Sequence, residues 1–441
     1  MAFIAPFRGV RYNPEKISDI RSVVAPPYDV ISPEELQDLR SRSPYNVVHI
    51  DLPNAEGSSG EDVYTQAGRR FRGWLVEGVL RADERPALYA YHQRYRVPGT
   101  DKTLQLTGVI AAVRLARWDE GIILPHEHTF AKPKEDRLRL MRAGEANFSQ
   151  VYAFYSEPAR RADEALAEVT AGRAPDVHTL DDDGASHSVW VVDAPEVVGR
   201  VVNALAGTTL YIADGHHRYE TALDYRDERR AEVGVDARAG HEYVMMMLVN
   251  ADGGGLTVLP THRMVMLPAG IDRSRVEERL RRYFHVTPFE GSEPTRTAEE
   301  AATAIAGDQT SMTLLAGRQG WTLRPRDRGE LLDVIDEQAS DAWKLLGATI
   351  LHRVVLEQCF EMSRELQEDG RYITYTRDAV EAVEAAFNGV CDLACILNAP
   401  GPDLIMEVAR AGDAMPHKST YFYPKLLTGL VFNDLSLPVG W

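Results

Sequence analysis

The sequence predicts an α+β protein in which helices pack on a mixed sheet. Three stretches carry that expectation. Residues 87–97, ALYAYHQRYRV, alternate and end at Pro98-Gly99, and 103–115, TLQLTGVIAAVRL, reads as the hairpin partner. A strand at Thr208–Ala213 runs into a charged helix from Tyr219 to about Val233. Residues 241–249, HEYVMMMLV, hold consecutive apolar side chains, the pattern of a strand buried on both faces.

Taken in order, the first informative segment is Ala25–Glu35. Pro26-Pro27 forces an extended approach. Ser32, Pro33 and Glu35 then form a capping-box signature, which starts a helix running to about Arg42. Asp29 is held just before that helix. A helix over 61–78 precedes the hairpin. After it come Leu124-Pro125-His126-Glu127-His128-Thr129 and then a basic segment, 132–142, that is helical from Glu135. Strands are expected at 148–155 and 188–193, with Asp181-Asp182-Asp183-Gly184 as a solvated turn between them. A helix at 195–205 leads to the strand at 208. Gly253-Gly254-Gly255 is a turn, and 256–266 is a further strand region. Helices and short strands alternate over 267–345. Helices at 346–363 and 377–388 and a strand at 393–398 follow. No repeat marks a boundary. The expected organisation is a core with insertions over 1–265 and a second α/β region over 266–441.

Composition narrows the function classes. The chain has 441 residues, 49 Lys+Arg against 66 Asp+Glu, and a formal charge of −17. At about 150 residues per domain this is two or three domains. The acidity argues against nonspecific nucleic-acid binding, which depends on Lys/Arg contacts to phosphate. Three cysteines exclude a disulfide framework. Cys391 and Cys395 read as core thiols. The first residues do not have the pattern of a signal peptide, and no apolar run of about 18 residues would span a membrane. A cytosolic protein with no membrane partner is the expectation.

The segment with chemistry is Asp214-Gly215-His216-His217-Arg218, between strand and helix. Such a junction presents backbone N–H groups and the positive end of the helix dipole. Gly215 lets an anion approach closely, and Arg218 offers a planar fork to phosphate oxygens. His216 and His217 would donate to the same oxygens or move protons near neutrality. Asp214 would hold Mg2+ or accept a proton. Phosphate donors beside a carboxylate suit phosphoryl transfer. Two competing readings remain, a metal site and a purely structural turn, although adjacent histidines make a poor zinc pair on a helix. The sequence has no Walker loop and no Gly-x-Gly-x-x-Gly after a strand.

The string IADGHHRYETAL (212–223) resembles the phosphate-binding loop of the ParB/sulfiredoxin-like superfamily, most of all that of the free-serine kinases, which transfer phosphate from ADP or ATP to L-serine. Over nearly its full length the chain more closely resembles a bacterial family of unknown function, DUF1015. That likeness rests on PFRGVRYNP, VVAPPYDVIS, HEHT, KPKEDRL, ADGHHRYETAL, LPTHRMV and MPHKSTYFYPKLLTGL. The resemblance implies a ParB/sulfiredoxin-like core in which Asp214, Gly215, His216, His217 and Arg218 surround the phosphates of ATP or ADP and Mg2+. It also implies an N-terminal carboxylate as base on the serine hydroxyl. Glu34, Glu35 and Asp29 are the candidates.

Other residues have two readings each. His126 and His128 would share one side of an extended chain as metal ligands, or sit in a hydrogen-bonded loop. Lys132, Lys134 and Arg137 would approach a second phosphate or a substrate carboxylate, or form a solvated face. Arg263, in Thr261-His262-Arg263, and Lys418 would add cations to the phosphate site, or serve structure alone. Tyr421, Phe422 and Tyr423 read as core. The resulting expectation is a small-molecule kinase acting on a hydroxyl, with L-serine as the implied acceptor. The alternative is a ParB-like nucleotide-binding regulatory module without phosphoryl transfer. The apolar C-terminal segment would close the pocket or form a homodimer face.

Overall fold

The computed structural model describes residues 1–54, 62–127, 129, 131–271 and 275–440, with the side chains of 131 and 132 outside the description. It is a mixed α/β protein of sheets and helices in two compact units, Met1–Thr257 with Pro424–Trp441, and Val258–Tyr423. The sequence places one division at about 265. The chain instead rejoins the first unit at Pro424. There the strand Phe432–Asp434 pairs with Gly9–Tyr12 and with Ala146–Asn147. A three-residue strand is too short to show a period, so this return left no mark in the sequence.

In the first unit, the main sheet among the described residues runs in the order Ile123–Leu124, Leu210–Asp214, Val151–Tyr155, Tyr243–Asn250, Thr103–Arg114, Leu88–Arg96, Ser186–Val192, Val177–Leu180. The expected hairpin is present, with Tyr89 opposite Ile110 and Arg96 opposite Thr103. Tyr243–Asn250 is buried at every position, pairing antiparallel to Thr103–Arg114 and parallel to Val151–Tyr155. Each of its large apolar side chains contributes about 1.5–3 kcal/mol by leaving water. The helix His216–Val233 packs Tyr219, Ala222 and Tyr225 into the core beneath the sheet.

The helix Pro33–Arg42 begins with the capping box that the sequence predicts: Glu35 N–H donates to Ser32 Oγ (3.2 Å) and Ser32 N–H to Glu35 Oε2 (3.3 Å). The helix expected from Glu135 starts earlier, spanning Ala131–Gly144, with Pro133 in the first turn where its missing N–H is tolerated. The acidic turn is more than solvated. Asp182 pairs with Arg21 and Arg42, both at 2.8 Å.

The second unit is built on a sheet in the order Phe284–Glu290, Gln319–Pro325, Met312–Ala316, Leu393–Leu397, His262–Val265, Ile373–Thr376. The helix expected over 346–363 is a short α-helical turn, Gly347–Ile350, that widens into a π-helix over Leu351–Cys359. All three cysteines are buried and free. Among the described residues no helix is long and apolar enough to cross a membrane.

Candidate functional site

The strand Leu210–Asp214 ends on the residue the sequence singles out, and the 18-residue helix His216–Val233 starts two positions later. Gly215 makes the join at φ +93°, a conformation L side chains rarely adopt. A Cβ there would also stand 2.8 Å from Arg218 Nε and 2.9 Å from its Cζ. The glycine therefore lets the guanidinium fold back over the turn. No side chain caps the helix start, and the first helix N–H with an acceptor in this turn is that of Tyr219, to Gly215 O at 3.0 Å. The preceding N–H groups have no intrahelical acceptor by the geometry of a helix end.

Asp214 is the electrostatic centre of the site. Arg218 Nη2 donates to its Oδ2 at 2.6 Å, and Lys425 Nζ donates to its Oδ1. Burial alone would raise the Asp214 pKa, but the Lys425 and Arg218 charges hold it down at about 2. Arg218 Nη1 also donates to Gln150 O, whereas its buried Nε has no partner. A buried guanidinium N–H without an acceptor is costly.

The histidines divide into two environments. His216 is 5% exposed, and its Nε2 accepts the N–H of His126 at 3.3 Å. His126 Nδ1 in turn bonds Ile212 O at 2.7 Å, and the two rings meet edge-on at 4.7 Å. Burial, reinforced by His126, pushes the His216 pKa well down, and burial lowers that of His126. His217 is half-buried, and its pKa is lowered less severely, by burial against the pull of Glu220, Glu127 and Asp29.

Asp29 belongs to the same charge cluster. By surface area it is exposed, yet enough protein surrounds its carboxyl for desolvation and the Asp214 charge to raise its pKa, against Arg218 and Lys425. Beside it, the Tyr28 ring lies 4.4 Å from the Arg137 guanidinium, and Arg137 pairs with buried Asp51 at 3.1 Å.

The family described as a protein of unknown function, DUF1015, matches residues 4–345. The chain belongs to that family. No curated protein matches it. Among solved structures it is similar to a free serine kinase variant in complex with ADP, at 15% identity and a TM-score of 0.32, covering 73% of this chain and 92% of that one. A free serine kinase in complex with AMP is similar at 14% identity and 0.32, with the same coverage. SbnI with a C-terminal truncation from Staphylococcus aureus is similar at 11% identity and 0.34, covering 75% of this chain and 87% of that one.

In this DUF1015 chain, Asp214, Gly215, His216, His217 and Arg218 lie on one turn, with Asp29 in their field. Glu34 is exposed, and the Glu35 carboxylate is engaged in the capping box. Lys134 pairs with Glu220 at 2.9 Å on the helix that follows the turn. His126 Nδ1 bonds the Ile212 carbonyl; His128, and the side chain of Lys132, lie outside the described residues. Arg263 and Lys418 belong to the second unit, where Arg263 Nη2 donates to Lys418 O at 3.3 Å. No local pattern separates Lys425 from the apolar residues after it, so the sequence does not single it out.

Among the described residues no group of three His, Cys, Asp or Glu is placed to hold a metal ion. Both Asp214 oxygens are taken by cations, so its carboxylate as placed does not fit a magnesium ligand.

Proposed function

We propose that the first unit binds a nucleoside di- or triphosphate on the Asp214–Arg218 turn and transfers its terminal phosphoryl group to a small hydroxyl acceptor. Free L-serine is the acceptor implied by the likeness of IADGHHRYETAL to the serine-kinase loop. The observation that carries the reading is the convergence of Arg218 and Lys425 on Asp214 at the start of a long helix, with Arg218 Nε buried and unpartnered. Two fixed cations, helix-start N–H groups and an orphaned donor are the equipment for gripping a polyphosphate and neutralising charge during transfer.

The step balances with this chain's own groups. The acceptor hydroxyl oxygen attacks the terminal phosphorus, and the P–O bond to the departing ADP or AMP breaks. The hydroxyl proton passes to Asp29, whose raised pKa suits a base better than an ordinary aspartate's. His216, neutral in its buried setting, acts as a hydrogen-bonding group rather than as a cation. Magnesium is the cofactor the resemblance implies, but no step here is assigned to it.

On this reading the first unit is a ParB/sulfiredoxin-like core with insertions. The three cysteines of the chain, buried and free in the second unit, suit a reducing compartment, which favours the cytosol. The test is a coupled O-phosphoserine assay with ATP and with ADP. Turnover with either donor supports the proposal. Absence of turnover with both, in protein shown to be folded, overturns it. If nucleotide still raises the melting temperature, the chain becomes a nucleotide-binding regulatory module.

A further inference from the structure

The first unit holds a cavity of about 140 Å3 away from the Asp214–Arg218 turn. It lies between the main sheet and the helix Arg161–Thr170. His92 and Thr107 reach it from opposite positions on the hairpin, Asn250 from the end of its strand, and Asp163 from the helix. Asp214 pairs at Tyr152, whereas Asn250 pairs at Tyr155, about 10 Å further along the same strand. None of the lining residues belongs to the phosphate-binding turn. An apolar cavity of about 150 Å3 admits benzene, so this one has room for about six non-hydrogen atoms.

The wall carries both signs of charge at different depths. The Asp163 side chain keeps 9% of its exposure, and that of Arg160, at the mouth, 51%. Arg160 Nε donates to Asp163 Oδ2 at 3.3 Å, and Asn250 Nδ2 donates to the same oxygen at 3.2 Å. Asp163 Oδ1 and both Arg160 Nη groups make no hydrogen bond among the described residues. One long contact to a half-exposed cation compensates a buried carboxylate poorly, and burial raises the Asp163 pKa in spite of it. Gly253 leaves the space beside the carboxylate open, since a Cβ there would stand 3.6 Å from Oδ2. The His92 ring packs on Trp190, with centres 4.7 Å apart, and its buried Nε2 has no partner. Burial lowers the His92 pKa, so the imidazole adds no charge at neutral pH.

We infer that this cavity binds a small zwitterionic amino acid, with its ammonium group on Asp163 and its carboxylate on Arg160. The charges of the wall sum to zero, with the acceptor deep and the guanidinium fork at the rim, so a molecule bearing one charge of each sign answers both. A simple amine would meet the repulsion of Arg160, and a simple carboxylate that of Asp163. A polar cavity is wet, and the charges of a zwitterion replace the hydrogen bonds of the water they displace, which an apolar guest does not. Room for about six non-hydrogen atoms suits an amino acid with a one-carbon side chain. The site does not depend on the phosphoryl transfer proposed for the turn.

The test uses the full chain in a thermal-shift titration with L-alanine, against sodium propionate and ethylammonium chloride at matched ionic strength. Alanine has no hydroxyl side chain, so its binding is independent of phosphoryl transfer. It is expected to raise the melting temperature saturably, with neither single-charge analogue giving a comparable rise. Asp163→Asn keeps the shape of the wall and is expected to weaken alanine binding by roughly tenfold or more. Ala167, an exposed residue of the helix, also lines the cavity. Ala167→Leu fills the space without burying new surface in the core, and is expected to abolish the alanine shift even should Asp163→Asn fail to fold. Asp29→Asn, altered at the other site, should keep the shift. The inference is overturned if alanine gives no saturable shift, if either analogue matches it, or if folded Asp163→Asn or Ala167→Leu binds alanine as the wild type does. A shift lost in Asp29→Asn also overturns it, because the amino acid would then sit at the phosphate-binding turn.

Discussion

Lys425 forms an ion pair with Asp214 across 211 positions of sequence, on the carboxylate oxygen that Arg218 leaves free. The Lys425 and Asp214 side chains retain only 16% and 13% of their exposure, so the pair is largely desolvated. This one contact ties the returning C-terminal segment to the turn at the head of the helix.

Lys425→Met removes one partner and leaves Asp214 to Arg218 alone. Breaking a buried pair costs about 3 kcal/mol where the remaining charge is uncompensated, and less here because Arg218 stays. The expected loss is about 1–3 kcal/mol in urea unfolding, together with weaker nucleotide binding. A variant as stable as wild type with full nucleotide affinity would show that Lys425 plays neither role.

The same cluster sets an acid limit. Asp214 is held at about 2, below its ordinary value of 3.8. A depressed carboxylate pKa stabilises the fold above the unfolded value, and that stability is lost as pH falls through the folded value. The contribution is about 2 kcal/mol and disappears between about pH 4 and pH 2. Urea unfolding of wild type and Asp214→Asn across that window should show their stability difference shrinking as pH falls. A constant difference contradicts the assigned cause.

Local chemistry made part of this protein legible from its sequence. The Ser32–Glu35 capping box, the hairpin that pairs Tyr89 with Ile110, and the doubly buried Tyr243–Asn250 each follow from rules spanning a few residues. The turn Asp214–Arg218 was visible for the same reason. Lys425 was not, because its partner is remote and the strand that anchors its segment is three residues long. Arg263, after a strand, and Lys418, in a proline-bounded loop, offer cations by their residue type, and that is silent about the unit they belong to. Apolar spacing over nine residues does not separate the π-helical run Leu351–Cys359 from an ordinary helix.

His216 and His126 make a prediction about tautomers. His216 Nε2 accepts a backbone N–H, so the proton of the neutral ring sits on Nδ1. His126 Nδ1 faces a carbonyl oxygen and must carry its proton there too. Burial lowers both pKa values, so both rings stay neutral below the ordinary 6.5. Long-range proton–nitrogen correlation spectra at pH 6 should show both as neutral Nδ1–H forms. An imidazolium signal from either would contradict the lowered pKa. Because a buried neutral histidine must charge on unfolding in acid, their contribution to stability is full above pH 6.5 and declines as pH falls below it.

Asp29 and Glu35 separate base from structure. Asp29 lies in the fields of Asp214, Arg218 and Lys425, whereas the Glu35 carboxylate closes a helix cap. With Asp29 as base, Asp29→Asn should lower kcat by about 10²–10⁴-fold while leaving nucleotide binding intact. Glu35→Ala should keep kcat and cost about 0.5 kcal/mol of stability. Glu34→Gln should change neither. The pH–rate profile adds an independent readout. A base works deprotonated, so kcat should rise with pH through the Asp29 pKa, and desolvation and the Asp214 charge place that rise above the ordinary aspartate range. Replacing Asp214 by Asn removes the repelling charge, so any activity left in that variant should rise at lower pH than in the wild type. A rise that stays in place, or a kcat lost with Glu35 rather than Asp29, would transfer the role of base to the helix carboxylate.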